Sequence, residues 1–91
     1  MMHRYLEITY RNGEPLAAYL YLPRQEGDKS VRVEVHGRGY LVDWTDDGRP
    51  IGIEMPSPSQ VTLNGLNDVL AQLQLAPLAP EEASPLLAEC R

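Results

Sequence analysis

Apolar and polar side chains alternate with a period of two through much of the first 55 residues, most regularly in VRVEV at 31–35. Such alternation is typical of β-strands that bury one face. Turn-forming sequences separate the alternating segments, among them Asn12-Gly13 and TDDGR at 45–49, where glycine accepts the positive φ that tight turns require. This part of the chain is therefore predicted to form about five antiparallel strands in a meander.

The alternation also predicts which side chains face the core. Tyr19 and Tyr21 are expected on one face of their strand, opposite its apolar residues, and Arg32 and Glu34 are expected to point outward. The side chains expected to point inward are Ala18, Leu20, Leu22, Val31, Val33, Val35, Ile51, Ile53 and Met55.

A helix is predicted to cover the apolar face of this sheet. Its helically spaced apolar residues are Leu63, Leu66, Val69, Leu70 and Leu73. Thr62 is the predicted N-cap, Gly65 costs the first turn about 1 kcal/mol relative to Ala, and Pro77 is expected to stop the helix. The predicted fold class is α+β, with one C-terminal amphipathic helix packed on one face of an antiparallel meander.

The chain is expected to divide at residue 75. Residues 1–75 are predicted to form a single meander-plus-helix domain, and residues 76–91 a Pro-rich acidic tail. Two alternatives remain for the tail: a short helical turn that docks Leu86 and Leu87, or a mobile segment.

Composition excludes several classes of function. A length of 91 residues favours one domain, and a net charge of -5 argues against direct binding to nucleic acid, which needs a basic face. No apolar run approaches the roughly 18 residues of a membrane helix, and the N-terminus lacks the apolar region of a signal peptide. With a single cysteine, Cys90, these features predict a cytoplasmic protein that contacts no membrane.

The segment DWTDDGRPIGIE at 43–54 can be aligned with a calcium-binding loop. Asp43, Asp47 and Glu54 then occupy ligand positions 1, 5 and 12. Thr45 at position 3 supplies no charge, and both flanks alternate as strands where a calcium loop has helices. The pattern favours a hairpin turn with solvated carboxylates, and divalent-metal or small-ligand binding at this turn remains the alternative function.

No catalytic machinery is apparent in the sequence. His3 and His36 are the only histidines, and neither stands in a motif with a nucleophile and an orienting acid. Gly37-Arg38-Gly39 fails as a phosphate loop because Val42 occupies the third glycine position and a strand follows. The chain is therefore predicted to be non-catalytic and to bind no cofactor.

Tyr19 and Tyr21 have two possible roles. As cross-strand aromatic residues they stabilise a sheet, and as an outer aromatic patch they bury against another protein. Together with Leu86 and Leu87 of the tail they are the predicted interface residues. The expected function is a protein-interaction module, acting as a homodimer or as the partner of a small protein.

The hairpin resembles the hallmark of a family of small prokaryotic proteins, domain of unknown function 2283. That hallmark consists of an apolar pair, an Asp, an aromatic residue, an acidic turn with Gly, and then an apolar residue followed by Gly-Ile-Glu. The matching residues are Leu41, Val42, Asp43, Trp44, Asp46, Asp47, Gly48, Ile51, Gly52, Ile53 and Glu54.

The resemblance extends over roughly residues 5–78. ITYRNGEPLAAYLYL is similar to the opening of the family, with its Ala-x-Tyr strand, although Arg11 and Leu16 stand where acidic residues are usual. The family has no established activity. Some members look like the partner half of toxin–antitoxin pairs, so the resemblance implies an antitoxin-like interaction role.

Overall fold

The computed structural model describes residues 3–87, which form a five-stranded antiparallel sheet and two helices. The strands are β1 (Tyr5–Arg11), β2 (Glu14–Tyr21), β3 (Arg32–His36), β4 (Tyr40–Trp44) and β5 (Pro50–Met55). A 3-10 turn at Pro58–Gln60 leads to helix α1 (Leu63–Gln72), and the short helix α2 spans Ser84–Leu87. The predicted α+β class, with five antiparallel strands and one main helix, is confirmed.

The strand order is β1-β2-β5-β4-β3, which differs from the predicted meander in one connection. The chain leaves β2 and crosses to the far edge, so that β5 is inserted between β2 and β4. The connecting residues 22–31 reach about 33 Å when extended, whereas three strand spacings need about 14 Å. The central position suits β5 because Ile51, Ile53 and Met55 are all buried.

One hydrophobic core lies between the sheet and the helices. Residues 61–87 supply half of it, since α1 and the segment after it cover the inner face of the central strands. The core consists of Ala18, Leu20, Leu22, Tyr40, Val42, Ile53, Met55, Val61, Leu66, Val69, Leu70, Leu78, Ala83 and Leu86.

The predicted orientation of β3 is wrong. Arg32 and Glu34 pair with Trp44 and Val42, so their side chains lie on the side of the sheet that carries the core. Val33 and Val35 of β3, and Val31 just before it, therefore point to the opposite side. His36 on the same strand reaches α1, where its Nδ1 lies 3.1 Å from Oε1 of Gln72. The reversal follows from the β3–β4 turn, which sets the register and therefore the face of every side chain on β3.

The N-terminus of α1 follows the sequence prediction and its C-terminus does not. Thr62 caps the helix, since its hydroxyl accepts a 3.0 Å hydrogen bond from the Gly65 N–H. The helix ends at Gln72, five residues before Pro77, because Gln74 adopts a left-handed conformation with φ of 60°. Residues 73–77 thus leave the helix axis and lead the chain back over the sheet.

The start of the predicted tail packs against the rest of the chain. The Arg4 guanidinium donates hydrogen bonds to the carbonyls of Ala76 (2.6 Å) and Pro77 (2.7 Å). The Asn67 side chain accepts a 2.8 Å hydrogen bond from the Leu78 N–H and donates to the Leu78 carbonyl. Leu86 of α2 is fully buried in the core. The last part of the predicted tail, residues 88–91 with Cys90, lies outside the described residues.

Candidate interaction surface

The face of the sheet that points away from the core, here called the outer face, holds the predicted site residues Tyr19, Tyr21, Asp43 and Glu54. The strand register arranges its side chains in two rows. One row contains Tyr5, Tyr21, Gly52, Asp43 and Val33, and the next contains Glu7, Tyr19, Glu54, Leu41 and Val35. Tyrosines therefore occupy the β1–β2 half of the outer face and aliphatic residues the β3–β4 half.

Tyr19 reaches from β2 over β5 to Asp43 on β4. Its hydroxyl donates a 2.5 Å hydrogen bond to Oδ2 of Asp43, while the Ser30 hydroxyl donates to Oδ1 at 3.1 Å. The phenol passes directly over Gly52, where a Cβ would overlap the Tyr19 hydroxyl. Burial, and then the hydrogen bond to Asp43, raise the pKa of the Tyr19 phenol, so it remains a donor throughout the neutral range.

Tyr21 is engaged within the sheet on three sides. Its ring stacks on Tyr5 with centroids 4.4 Å apart, and Tyr19 meets it edge-on at 4.7 Å. The Arg24 guanidinium lies 5.3 Å from the ring centroid. The Tyr21 hydroxyl donates to Oε1 of Glu7 at 3.1 Å, which raises the pKa of the phenol. These contacts favour the sheet-stabilising role of the two tyrosines.

The turn between β4 and β5 is held by an ion-pair cluster. Arg49 donates two hydrogen bonds to Asp28, at 2.7 and 2.9 Å, and its Nε donates to Oδ2 of Asp47 at 3.0 Å. Thr45 closes the turn by accepting from the Arg49 N–H and donating to Asp47. The Arg49 hydrogen bonds, with the Gln25 N–H, lower the pKa of Asp28 to about 2. The hydrogen bonds from Thr45 and Arg49 lower the pKa of Asp47.

The three carboxylates of the metal-binding alternative lie in different surroundings. Asp43 is bound by Tyr19 and Ser30, Asp47 belongs to the turn cluster, and Glu54 stands in the next row opposite Leu41. Between residues 3 and 87 the fold assembles no group of three or more His, Cys, Asp or Glu side chains that could hold a metal ion. The shallow cavity of about 300 Å³ beside Asp47 and Arg49 is lined by the ion pairs that Arg49 makes with Asp28 and Asp47, and by Lys29 and Asp46.

The aliphatic half of the outer face is the largest departure from the predicted core. Val31, Val33 and Val35 are 53, 55 and 72% exposed, and Leu41 beside Val35 is half-buried. These four residues are called the β3 surface below. They lie at an edge of the sheet, since among the described strands β3 pairs with β4 alone.

Sequence reasoning missed the β3 surface, although the length of the turn before β4 indicates which side chains of β3 share a face with those of β4. Three residues, Gly37 to Gly39, join His36 to its cross-strand partner Tyr40, and both glycines have positive φ. Because directly paired residues share a face, a buried Tyr40 draws His36 and its alternate neighbours to the core side. The valines are then left on the outer face.

Of the two tail residues proposed as interface residues, Leu86 is not on this surface. Leu86 is a core residue, as expected if the tail forms a docked helical turn, because α2 lays it against the inner face of the sheet. It is therefore not exposed for an interface. Leu87 ends α2, and its side chain lies outside the described residues.

Comparison with known proteins finds no matching family model, no matching curated protein and no matching solved structure. The resemblance to domain of unknown function 2283 therefore stays a prediction. Within residues 3–87 neither helix has the length and apolar character needed to cross a membrane.

Proposed function

We propose that this chain is a non-catalytic protein-interaction module that binds its partner through the β3 surface. The observation that carries the proposal is the exposure of Val33 and Val35 on the edge strand β3, together with Val31 directly before it. Fully burying an exposed valine side chain contributes about 1.5–3 kcal/mol, so covering the exposed part of these three favours association by a fraction of that amount each. Edge strands also bind other chains by adding a strand to the sheet.

The hydrogen bonds of the other outer-face side chains favour the β3 surface, and not the tyrosines, as the surface that binds a partner. Tyr19, Tyr21 and Asp43 are hydrogen-bonded to groups of the same chain, and Asp47 of the turn is paired with Arg49. Both classes of partner expected from the sequence remain open at this level: a second copy, or a small protein bound in an antitoxin-like manner. The single cysteine favours the cytoplasm as its compartment.

Co-purification from the native host tests the proposal. We expect a tagged chain to retain, in stoichiometric amount, either an untagged copy of itself or one other protein. Val33→Arg places a charge in the centre of the β3 surface and is expected to abolish retention. Thr9→Arg, on the exposed opposite edge strand, is the matched control and should leave it unchanged.

Two results would overturn the proposal: no protein retained in stoichiometric amount, or retention that survives Val33→Arg. Thermal unfolding of both variants shows that each is folded when it is assayed.

A further inference from the structure

We infer that the partner of the β3 surface is a second copy of this chain, whose β3 pairs antiparallel with β3 of the first in a register centred on Val33. The inference rests on the proposed function, because it names the partner for the surface proposed there. Its arguments come from the pattern of valines and charges along residues 31–36.

The Val33-centred register brings the exposed valines at positions 31, 33 and 35 of both copies into cross-strand contact. A two-fold axis at Val33 sets this residue opposite its own copy and Val31 opposite Val35 of the second copy, twice. Directly opposite residues in an antiparallel pair point to the same face and lie within side-chain contact. Six valines, each at least half exposed in the single chain, then form one cluster on the outer face of a continuous sheet.

The same register also pairs opposite charges. Arg32 of each copy lies opposite Glu34 of the other, on the face away from the valines. Both side chains are accessible, at 55 and 42% exposed, and within one chain they approach to 3.5 Å. Arg32 also lies 5.1 Å from the centroid of the Trp44 ring, and Glu34 lies 3.3 Å from Nε2 of His36. Opposite charges placed directly across two strands stabilise the pairing, whereas like charges there destabilise it.

Competing registers are less favourable. Centring the pair on Glu34 sets this carboxylate against its own copy, and centring it on Arg32 sets two guanidinium groups together. Centring it on Val35 places Val33 opposite Gly37 and loses apolar contact. A shift by one residue puts valines and charged side chains on a common face. Only the register centred on Val33 satisfies both the valines and the charges.

The charge pattern provides the first test, by light scattering on the purified 91-residue chain at about 100 µM. The wild type is expected to have twice the 10.2 kDa mass of the single chain. Arg32→Glu and Glu34→Arg each place like charges opposite one another and should weaken the dimer by about tenfold or more. The exchange variant that carries both substitutions should dimerise again, and Thr9→Arg should remain a dimer.

Disulfide trapping tests the register itself, in a chain whose Cys90 is replaced by Ser. Val33→Cys should form a covalent dimer on mild oxidation, because residues opposite one another across two strands approach within disulfide reach. Val35→Cys is at least as exposed but faces residue 31 of the second copy, so alone it should not cross-link. Mixing Val31→Cys chains with Val35→Cys chains should give the mixed dimer.

A wild type that is monomeric at 100 µM would overturn the inference, as would a dimer that the charge exchange does not rescue or that cross-links through Val35→Cys alone. The same experiments distinguish failure of this inference from failure of the proposed function. A monomer that retains a different protein in a Val33-dependent manner refutes the second copy and leaves the interaction module standing. A monomer that retains nothing refutes both.

Discussion

The Tyr19 hydroxyl on β2 donates a 2.5 Å hydrogen bond to Oδ2 of Asp43 on β4, across the intervening strand β5. The bond requires that residue 52 of β5 have no side chain, and Gly52 meets that requirement. Gly52 and Asp43 of the β4–β5 hairpin therefore meet Tyr19 of β2 at one point. In this chain their contacts link β2 to β4 across β5 and hold these three strands in register.

We predict that Gly52→Ala lowers the free energy of unfolding by about 1–3 kcal/mol, because the new Cβ overlaps the Tyr19 hydroxyl. In a Tyr19→Ala background the same substitution should cost less than about 0.5 kcal/mol, since the overlapping phenol is gone. Urea unfolding of the four proteins measures this coupling. Gly48→Ala is the control: its cost comes from a φ of 84° and should be the same in both backgrounds. If Gly52→Ala lowered the free energy of unfolding equally in the wild type and in Tyr19→Ala, the close contact between residue 52 and the Tyr19 phenol would be contradicted.

The sequence predicts the strands, the main helix and its Thr62 cap because each depends on local pattern. It fails at β3, where alternation shows that one face is apolar without showing which face is buried. The turn between His36 and Tyr40 decides that question, and it does so through the burial of Tyr40 on the neighbouring strand. The position of β5 between β2 and β4 likewise depends on long-range packing, which the local alternation of apolar and polar residues does not reveal.

Asp28 is predicted to make stability depend on acidity. Arg49 lowers the pKa of its carboxyl from 3.8 to about 2 in the folded chain, so the ionised form stabilises the fold above the unfolded-state pKa. That stabilisation is lost as the pH falls from about 4 through about 2. Asp28→Asn should therefore be less stable than the wild type at pH 7, with a gap that closes toward pH 2. Urea midpoints across this range measure it, and a gap that stays constant would contradict the role of the Asp28–Arg49 pair.

Gly65 lies in the first turn of α1, where alanine would ordinarily add about 0.5–1 kcal/mol. A Cβ there would lie 2.6 Å from the hydroxyl of the buried Tyr40, so we predict that Gly65→Ala gains nothing or destabilises the wild type. In a Tyr40→Phe background the hydroxyl is absent, and the same substitution should become stabilising. Thermal unfolding of the wild type, the two single variants and the double variant measures whether the effect of Gly65→Ala on stability changes sign. A gain of equal size in both backgrounds would refute the contact.

Leu86→Ala is predicted to cost about 2–5 kcal/mol, the range for truncating a fully buried leucine. Leu16→Ala is the matched control, because Leu16 is half exposed and should cost about 0.5 kcal/mol. Chemical denaturation at low protein concentration separates this effect from association. If the two variants were equally stable, α2 would not be part of the core.

Backbone hydrogen exchange in β3, followed as a function of protein concentration, tests the central claim most directly. Strand addition at the β3 edge protects amides there, while β1 at the opposite edge is an internal reference. We predict that exchange in residues 31–36 slows as the concentration rises from about 1 µM to about 1 mM, that β1 is unaffected, and that Val33→Arg removes the change. Exchange in β3 that is independent of concentration, or slowing that persists in Val33→Arg, would contradict pairing through the β3 surface.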